Sequence, residues 1–503
     1  MAVNSFASIY IGSYELSLKV FEFTSKGRMK EIDFVRSRIN LGKDIYHTGA
    51  VGYETVEQLC DTLSEFQNIL KTYRVNTYEV YMSVAIRDAS NELFVLNQIH
   101  IRTGITVSVL SNSEHRFITY ETIAARAHFD EAMKDAAFVD IGGSGIQITL
   151  FENGKIITTQ HMDLGTIRLR NMLRSSDSSI INYRKALSEF IIKRLEVFRA
   201  MYLKRDVKNL ILISDYGELV MKQTEKAQEE EYTVSAEKFL KVSDKLLKRT
   251  DYDHEDPFIV PSVILFKGLT EVFRCESVIV PGTDICDGIA FDFARRKNLI
   301  TVNHSFDEDV LSASRNLAEH FKSYSPHIEA LNDLATQIFT AMKKVHGLNK
   351  RHLLLLRCAT LLHDVGKYVS ISNGSISAYN IIMESEIIGL THLERSIVAY
   401  TVLFNTLPLM KIEDLPDPID EDSYIVFAKL SAILRVANAL DQSHKQKFGN
   451  VRISLKDRQL MISVEATEDI TLERALFENK TKYFENVFSI KPVLKEKRVY
   501  KVN

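Results

Sequence analysis

Three glycines fall within four residues of the stretch VDIGGSGIQ (139–147), after an apolar strand-like pair and an aspartate and before a second strand-like run. Peptide N–H groups in such a turn can converge on an anion because no Cβ blocks the approach, so the loop suits a phosphate; a tight turn without a ligand is the plainer reading. It is not a Walker loop, because no Gly-Lys-Ser/Thr follows, and not a dinucleotide fingerprint, because Ile148 stands where the third glycine belongs. Asp140 is placed at the strand end, where its carboxylate either holds Mg2+ (or Mn2+) or stabilises the turn. Chemistry on a phosphate would welcome an acid at the far end of this loop, and the chain supplies the amide of Gln147.

The loop has an echo. Tyr10 to Glu22 (YIGSYELSLKVFE) aligns with Asp140 to Glu152 (DIGGSGIQITLFE) at a constant offset of 130, and turn glycines follow at Gly27 and Gly154. Each copy predicts a β-hairpin opening an α/β lobe, and two such lobes facing one another make a cleft. The first lobe is expected over 1–121, with a helix near Thr55 to Lys71 and strands at Glu79–Val84 and Ile105–Leu110. The second is expected over 122–300, with a charged helix from Tyr183 to Lys204 and strands at Leu210–Ile213 and Ser277–Val280. From Asp307 to Leu407 only helical periodicity remains, giving an all-helical domain over 301–445; alternation returns in VRISLKDRQLMISVEA, giving a small α/β domain over 446–503. Its tail carries Lys491, Lys495, Lys497, Arg498 and Lys501, which reads as a solvated charged end rather than an anion site.

With 63 basic and 66 acidic residues, the chain has no global field to draw nucleic acid or an anionic membrane, so any anion site is local. Cys60, Cys275, Cys286 and Cys358 lie far apart without a CxxC pair, which argues against a zinc knuckle or a disulfide framework and fits a reducing cytoplasm. No signal-like or membrane-spanning run is read in the sequence.

Eight stretches in order, IYIGSYE (9–15), SVAIRDASN (83–91), VSVLSNSEHR (107–116), VDIGGSGIQ, DLGTIRLR (163–170), LLHDVGK (361–367), LRVANALDQSH (434–444) and FENVF (484–488), resemble the exopolyphosphatase and guanosine pentaphosphate phosphatase family over essentially the whole chain. The resemblance implies an α/β fold with two ribonuclease H-like lobes, as in actin and the sugar kinases, then an all-α HD-like domain and a small α/β C-terminal domain. It implies Mg2+-dependent release of terminal orthophosphate from inorganic polyphosphate or guanosine pentaphosphate, in members that often pair as homodimers. Arg87 then matches a phosphate-contacting arginine, against the alternative of a surface ion pair with Asp88. Gly12 and Ser13 match the first phosphate loop; Asp140, Gly142, Gly143, Ser144 and Gly145 match the second; Gly165 and Arg168 match an LGxxRL turn.

The departures from the family concern acids. Where the first loop usually reads DxGSNS, the acid is Tyr10; where the second reads DIGGGSTE, the last acid is Gln147 and Gly-Ser is exchanged to Ser144-Gly145. The catalytic glutamate of the family falls on His115, with Glu114 one place earlier, and either type can take a proton from water. The usual Ser-Gly-Thr reads Ser214-Asp215-Tyr216, and a familiar arginine is Cys286. Impaired hydrolysis, or binding of the same ligands without turnover, follows from these losses.

In the helical domain, His363 and Asp364 of LLHDVGK, with His327, match three of the ligands by which HD phosphohydrolases hold a metal. The fourth acid is Asn438, with Asp441 three residues on, so a metal-poor structural domain is favoured over a second site of nucleotide phosphohydrolysis.

Overall fold

The computed structural model describes residues 5–24, 27–124, 129–172, 180–214, 216–224, 232–249, 258–302, 304–466 and 468–498. Asp215 and Lys501 lie outside them. The chain divides into two compact units, Met1–Phe306 and Asp307–Asn503.

The first unit contains two sheets of related design. Strands β1 (Ser5–Ile11), β2 (Glu15–Phe23), β3 (Met29–Arg38), β4 (Tyr78–Met82) and β5 (Ser108–Val109) form one sheet in the order β3-β2-β1-β4-β5. The second holds β6 (Ala136–Ile141), β7 (Ile146–Glu152), β8 (Lys155–Met162), β9 (Asn209–Ile213), β10 (Tyr232–Ser235) and β11 (Ser277–Val280) in the order β10-β11-β9-β6-β7-β8. Both sheets begin with an antiparallel three-stranded meander and continue with parallel strands, β1 beside β4 and β6 beside β9. The sequence echo is kept in the register: Tyr10 pairs with Ser17, and Asp140, 130 residues on, pairs with Gln147.

β1 shows why both faces of the first sheet are covered. Its odd residues Ala7, Ile9 and Ile11 pack with Leu59, Leu63 and Phe66 of the Tyr53–Thr72 helix, while Phe6 on the other face packs with Ile289 and Phe293. The second group belongs to the Ile285–Arg296 helix, which follows the last strand of the second sheet and returns to the first, its Phe293 ring stacked on Phe6 at 4.0 Å. The expected boundary at 121 thus falls inside the Asn112–Ala124 helix, and the Ile285–Arg296 helix, expected in the second lobe, packs with it against the first sheet. Lys19 of β2 ties the second of these helices down, meeting Asp287, Asp284 and Glu31 at 2.9, 3.1 and 3.1 Å.

The second unit is helical up to Leu440 among its described residues, with Ser325–Ala341, Lys350–Leu362, His392–Leu403 and Glu421–Leu440 forming its core. Glu421–Leu440 is long and apolar enough to cross a membrane, but 72% of its apolar window is buried inside the unit, as in a core helix. Beyond it, β12 (Phe448–Lys456) and β13 (Gln459–Ala466) form a hairpin, the Thr471–Phe488 helix crosses over, and β14 (Lys491–Arg498) joins β13 in parallel.

Candidate functional site

Because β1, β4 and β5 run parallel, as do β6, β9 and β11, each sheet gathers its loops at the carboxyl ends of its strands, where ligands of open α/β sheets bind. The two glycine loops occupy these ends and share one geometry. Gly12 N–H donates to Glu15 O at 2.8 Å, and Gly142 N–H to Gly145 O at 3.0 Å. The next position also corresponds: Ser13 O accepts from Gly42 N–H at 2.7 Å, and Gly143 O accepts from Ile167 N–H at 3.0 Å. In a trans peptide the N–H of the following residue points opposite to the carbonyl, so the N–H groups of Tyr14 and Ser144 turn away from these anchors.

Gly165 makes the second loop possible. A Cβ there would lie 2.2 Å from Gly143 O and from the Ser144 carbonyl carbon, closer than any side chain tolerates. The Thr166–Met172 helix starts immediately afterwards, and Thr166 N–H donates to Gly142 O at 3.1 Å. Buried Ile167 then reaches the second loop and the first lobe, since a Cβ on Gly143 would stand 2.3 Å from its Cδ1 and one on Gly42, whose N–H holds Ser13 O of the first loop, 3.1 Å.

Between the lobes lies His115. Its Nδ1 is 3.3 Å from Asp140 Oδ2, and its ring is 5.5 Å from that of Tyr10, so the two residues related by the 130-residue repeat flank one imidazole. Asp140 is buried while the His115 side chain keeps 27% of its surface exposed. Glu114 is engaged elsewhere: its Oε2 accepts from Ser111 N–H at 2.8 Å and from Ser111 Oγ–H at 2.6 Å, and Ser111 Oγ accepts Glu114 N–H at 3.2 Å. This reciprocal pair closes the first turn of the Asn112–Ala124 helix as a capping box. Of the two adjacent candidates, His115 faces the cleft aspartate and Glu114 faces its own helix terminus.

The arginines differ in setting. Arg87 is exposed on the Val84–Asp88 turn, which is anchored to the first lobe by buried Ala85 and Ile86 and by Ser83 N–H donating to Ile11 O at 2.9 Å, and its guanidinium donates to Val109 O at 3.5 Å. Arg168 is exposed and pairs with Asp163 at 3.0 Å. Sequence reasoning did not single out Arg116 and His161. Arg116 is buried and donates to His161 Nδ1 at 2.9 Å, while His161 leans on the second loop, its Cε1 2.3 Å from where a Cβ on Gly145 would be. The motif stretch ending at Arg116 was the available signal for the arginine; nothing local marks His161, which meets it from β8. Cys286 is buried, its thiol 3.8 Å from Ser17 O, and pushed well up by burial, so it contributes no cation to the cleft.

For a protein-held Mg2+ the donors near Asp140 are its own carboxylate, the His115 imidazole, the Tyr10 phenol and the Gln147 amide, and the buried Asp140 Oδ2 and Gln147 Oε1 both lack a hydrogen-bond partner. A hard cation of that kind takes one or two carboxylates, water and substrate phosphate, so Asp140 with the Gln147 amide oxygen would give it a weaker hold than two acids.

The second unit gathers another group. His327, His363 and Asp364 place one ligand atom each within 4.8 Å of one another, all buried. Asp441 accepts from His327 Nδ1 at 2.8 Å and from Gln446 N–H and Nε2 at 2.8 and 2.9 Å, and Asn438, the amide at the expected acid position, is buried on the same helix. Burial drives His363 down to about 4, so its imidazole is neutral at pH 7. Burial opposes ionisation of Asp364, but His363 and Lys367 outweigh it and hold the carboxyl below its usual range.

Two sheets of one design, with paired glycine loops opening on a shared cleft, define a two-lobed α/β protein. The chain belongs to the Ppx/GppA phosphatase family, whose model matches residues 20–297 and whose domain III model matches residues 311–483. Among curated relatives, a guanosine-5'-triphosphate,3'-diphosphate pyrophosphatase of Aeromonas hydrophila is 20% identical over 450 residues, 86% of each chain. That of Aliivibrio fischeri strain MJ11 is 18% identical over 479 residues, 92% of each. The crystal structure of an exopolyphosphatase from Cytophaga hutchinsonii shares the fold with a TM-score of 0.51 at 18% identity, covering 59% of this chain and all of that one.

Proposed function

We propose that this protein is a slow phosphoanhydride hydrolase that removes terminal orthophosphate from a polyanionic chain, inorganic polyphosphate or guanosine pentaphosphate. One observation carries the reading: His115, at the family's catalytic position, stands between the lobes and faces Asp140 at 3.3 Å. In the tautomer that carries its proton on Nδ1, the nitrogen nearer the Asp140 carboxylate, Nε2 keeps the lone pair that accepts a proton from water. Water attacks the terminal phosphorus, the bond to the bridging oxygen breaks, and the proton passes to His115 Nε2 while Asp140 stabilises the imidazolium. The loop N–H groups of Tyr14 and Ser144, with Arg87 and Arg168, offset the phosphate charge. Family names and relatives support the reaction class; the chain's own residues support a base of a different type.

The test is orthophosphate release from long-chain polyphosphate and from guanosine pentaphosphate, with direct binding of both. Turnover that disappears in Arg87→Ala and His115→Ala but survives His363→Gln supports the cleft. Binding without turnover shifts the reading to a sensor, and neither binding nor turnover ends it.

A further inference from the structure

His115 owes its place to a helix that is held at its far end. The Asn112–Ala124 helix leads from β5 of the first sheet toward β6 of the second, and the Ile285–Arg296 helix follows β11 and returns to the first sheet. These two helices carry the chain between the sheets and pack on one another. Glu121 lies where they touch, 0% exposed, six residues and about 9 Å along the helix from His115.

The charges that meet there do not balance. Arg295 Nη2 lies 2.7 Å from Glu121 Oε1 and 2.7 Å from Asp292 Oδ1, one nitrogen between two acids. Asp292 Oδ2 accepts from Arg296 Nε at 2.7 Å, and Arg296 Nη2 donates to both oxygens of Glu79 on β4 at 2.9 and 2.8 Å. The Tyr81 hydroxyl also donates to Glu79, at 3.2 Å. Two guanidinium groups thus serve three carboxyl groups. Arg295 is aligned with Asp292, whereas neither Glu121 oxygen has a hydrogen bond of good geometry. The Asp292 and Glu79 side chains keep 17% and 25% of their surface exposed, so the one proton that balances the set belongs on Glu121. Burial pushes Glu121 up to about 8 against the pull of Arg295. Further out stand His304, whose Nε2 lies 3.5 Å from the hydroxyl of Tyr120, and Glu131, exposed on the Phe129–Ala132 helix that also packs here.

We propose that Glu121 is a positioning residue for His115: its neutral carboxyl seats the Asn112–Ala124 helix on Arg295, and its ionisation unseats the helix and draws His115 away from Asp140. Ionised, Glu121 is a second anion on one shared nitrogen, out of reach of water, and the helix end must move to relieve it. The helix is a rigid element over this distance, so the displacement reaches His115 and opens its 3.3 Å approach to Asp140. The effect on rate rests on the reading of His115 as the base; the seating of the helix does not.

The test uses the full chain with carbon-13-labelled histidine, followed by nuclear magnetic resonance from about pH 6.5 to 9.5, with His115 assigned through its loss in His115→Ala. A step in the His115 signal with a midpoint near 8 is expected, and it should be missing in Glu121→Gln, which keeps the shape of the neutral acid. Asp292→Asn, which leaves Arg295 to Glu121 alone, should move the midpoint to lower pH. Orthophosphate release should fall about tenfold along the same alkaline limb, and that limb should be missing in Glu121→Gln. A His115 signal that crosses this range unchanged overturns the proposal, whether or not the protein hydrolyses phosphoanhydrides. So does a step that persists unaltered in both variants, since it would be the titration of the imidazole itself. A step that follows Glu121 in a protein without turnover supports the seating of the helix and removes the base instead.

Discussion

His115 and His363 each stand beside an aspartate, at 3.3 and 3.2 Å, yet the two pairs are built for opposite charges. In the cleft, His115 is partly exposed and turns Nδ1 to the carboxylate, next to glycine loops and arginines, so its other nitrogen can work on a bound anion. In the second unit, His363 is buried and spends Nδ1 on a carbonyl, so its bare lone pair faces the carboxylate instead. The partner of Nδ1, not the identity of the neighbouring acid, decides whether such a pair is a base or a ligand set.

The sharpest way to break this comparison is at the cleft base. His115→Ala is expected to lower orthophosphate release by about 10² to 10⁴, the usual worth of a general base. Glu114→Gln, by contrast, keeps the capping box, whose third position takes Glu or Gln, and should leave both stability and rate nearly unchanged. Steady-state kinetics with thermal melts separate the two; a larger rate loss in Glu114→Gln would return the base to the glutamate. Next in size is Gly165→Ala. Its methyl would overlap the backbone at Gly143 and Ser144, so the second loop must move, at a cost of about 1 to 3 kcal/mol and with weaker polyphosphate binding measured by calorimetry. Unchanged binding in the folded variant would remove the second loop from the site.

A smaller gain is expected from Gln147→Glu, which sets a carboxylate opposite Asp140 in the β6–β7 ladder where a buried amide oxygen now lacks a partner. A second acid supplies the ligand a hard cation lacks, so orthophosphate release should acquire Mg2+ dependence and rise by about tenfold. Activity that stays flat with Mg2+ in a folded variant would mean that the lost acid is not what limits the cleft.

Much of the cleft was legible because its determinants are local. Inside each copy of the 130-residue echo the glycine turn and the β-hairpin register follow from near neighbours in the chain, and the structure keeps the echo pair for pair. The Ser111-to-Glu114 spacing is that of a capping box, a local signal that the reading of Glu114 as a candidate base passed over. What was not legible depends on contacts between distant segments. Phe6 meets Phe293, Arg116 meets His161 and His327 meets Asp441 only after the chain has folded, and no periodicity encodes such pairings. Asp441 shows the consequence: its spacing from Asn438 made it a substitute ligand, whereas its contact with His327 makes it the group that orients one.

The smallest expected effect tests whether the two units also differ in how protons couple to stability. In the second unit, His346 is buried with Nε2–H donating to Phe339 O and Nδ1 accepting Leu348 N–H, so its neutral form is built in and burial lowers its affinity for a proton. With a folded pKa below the unfolded value, the unfolded chain binds the extra proton first, and stability falls as pH drops below about 6.5. The first unit has the reverse case in Glu121, buried beside Arg295 at 2.7 Å and pushed up by burial to about 8 despite that partner. Its folded form holds a proton the unfolded chain releases near pH 4.5, so this contribution is fully present below that value and is lost as pH rises to about 8. Calorimetric melts of the full chain from pH 5.5 to 8 should therefore show one transition that moves up with pH and one whose pH response changes when Glu121→Gln removes the titrating group. If both transitions move together, and Glu121→Gln leaves the pH profile of each untouched, the opposed protonation of the two units is not what sets their stabilities.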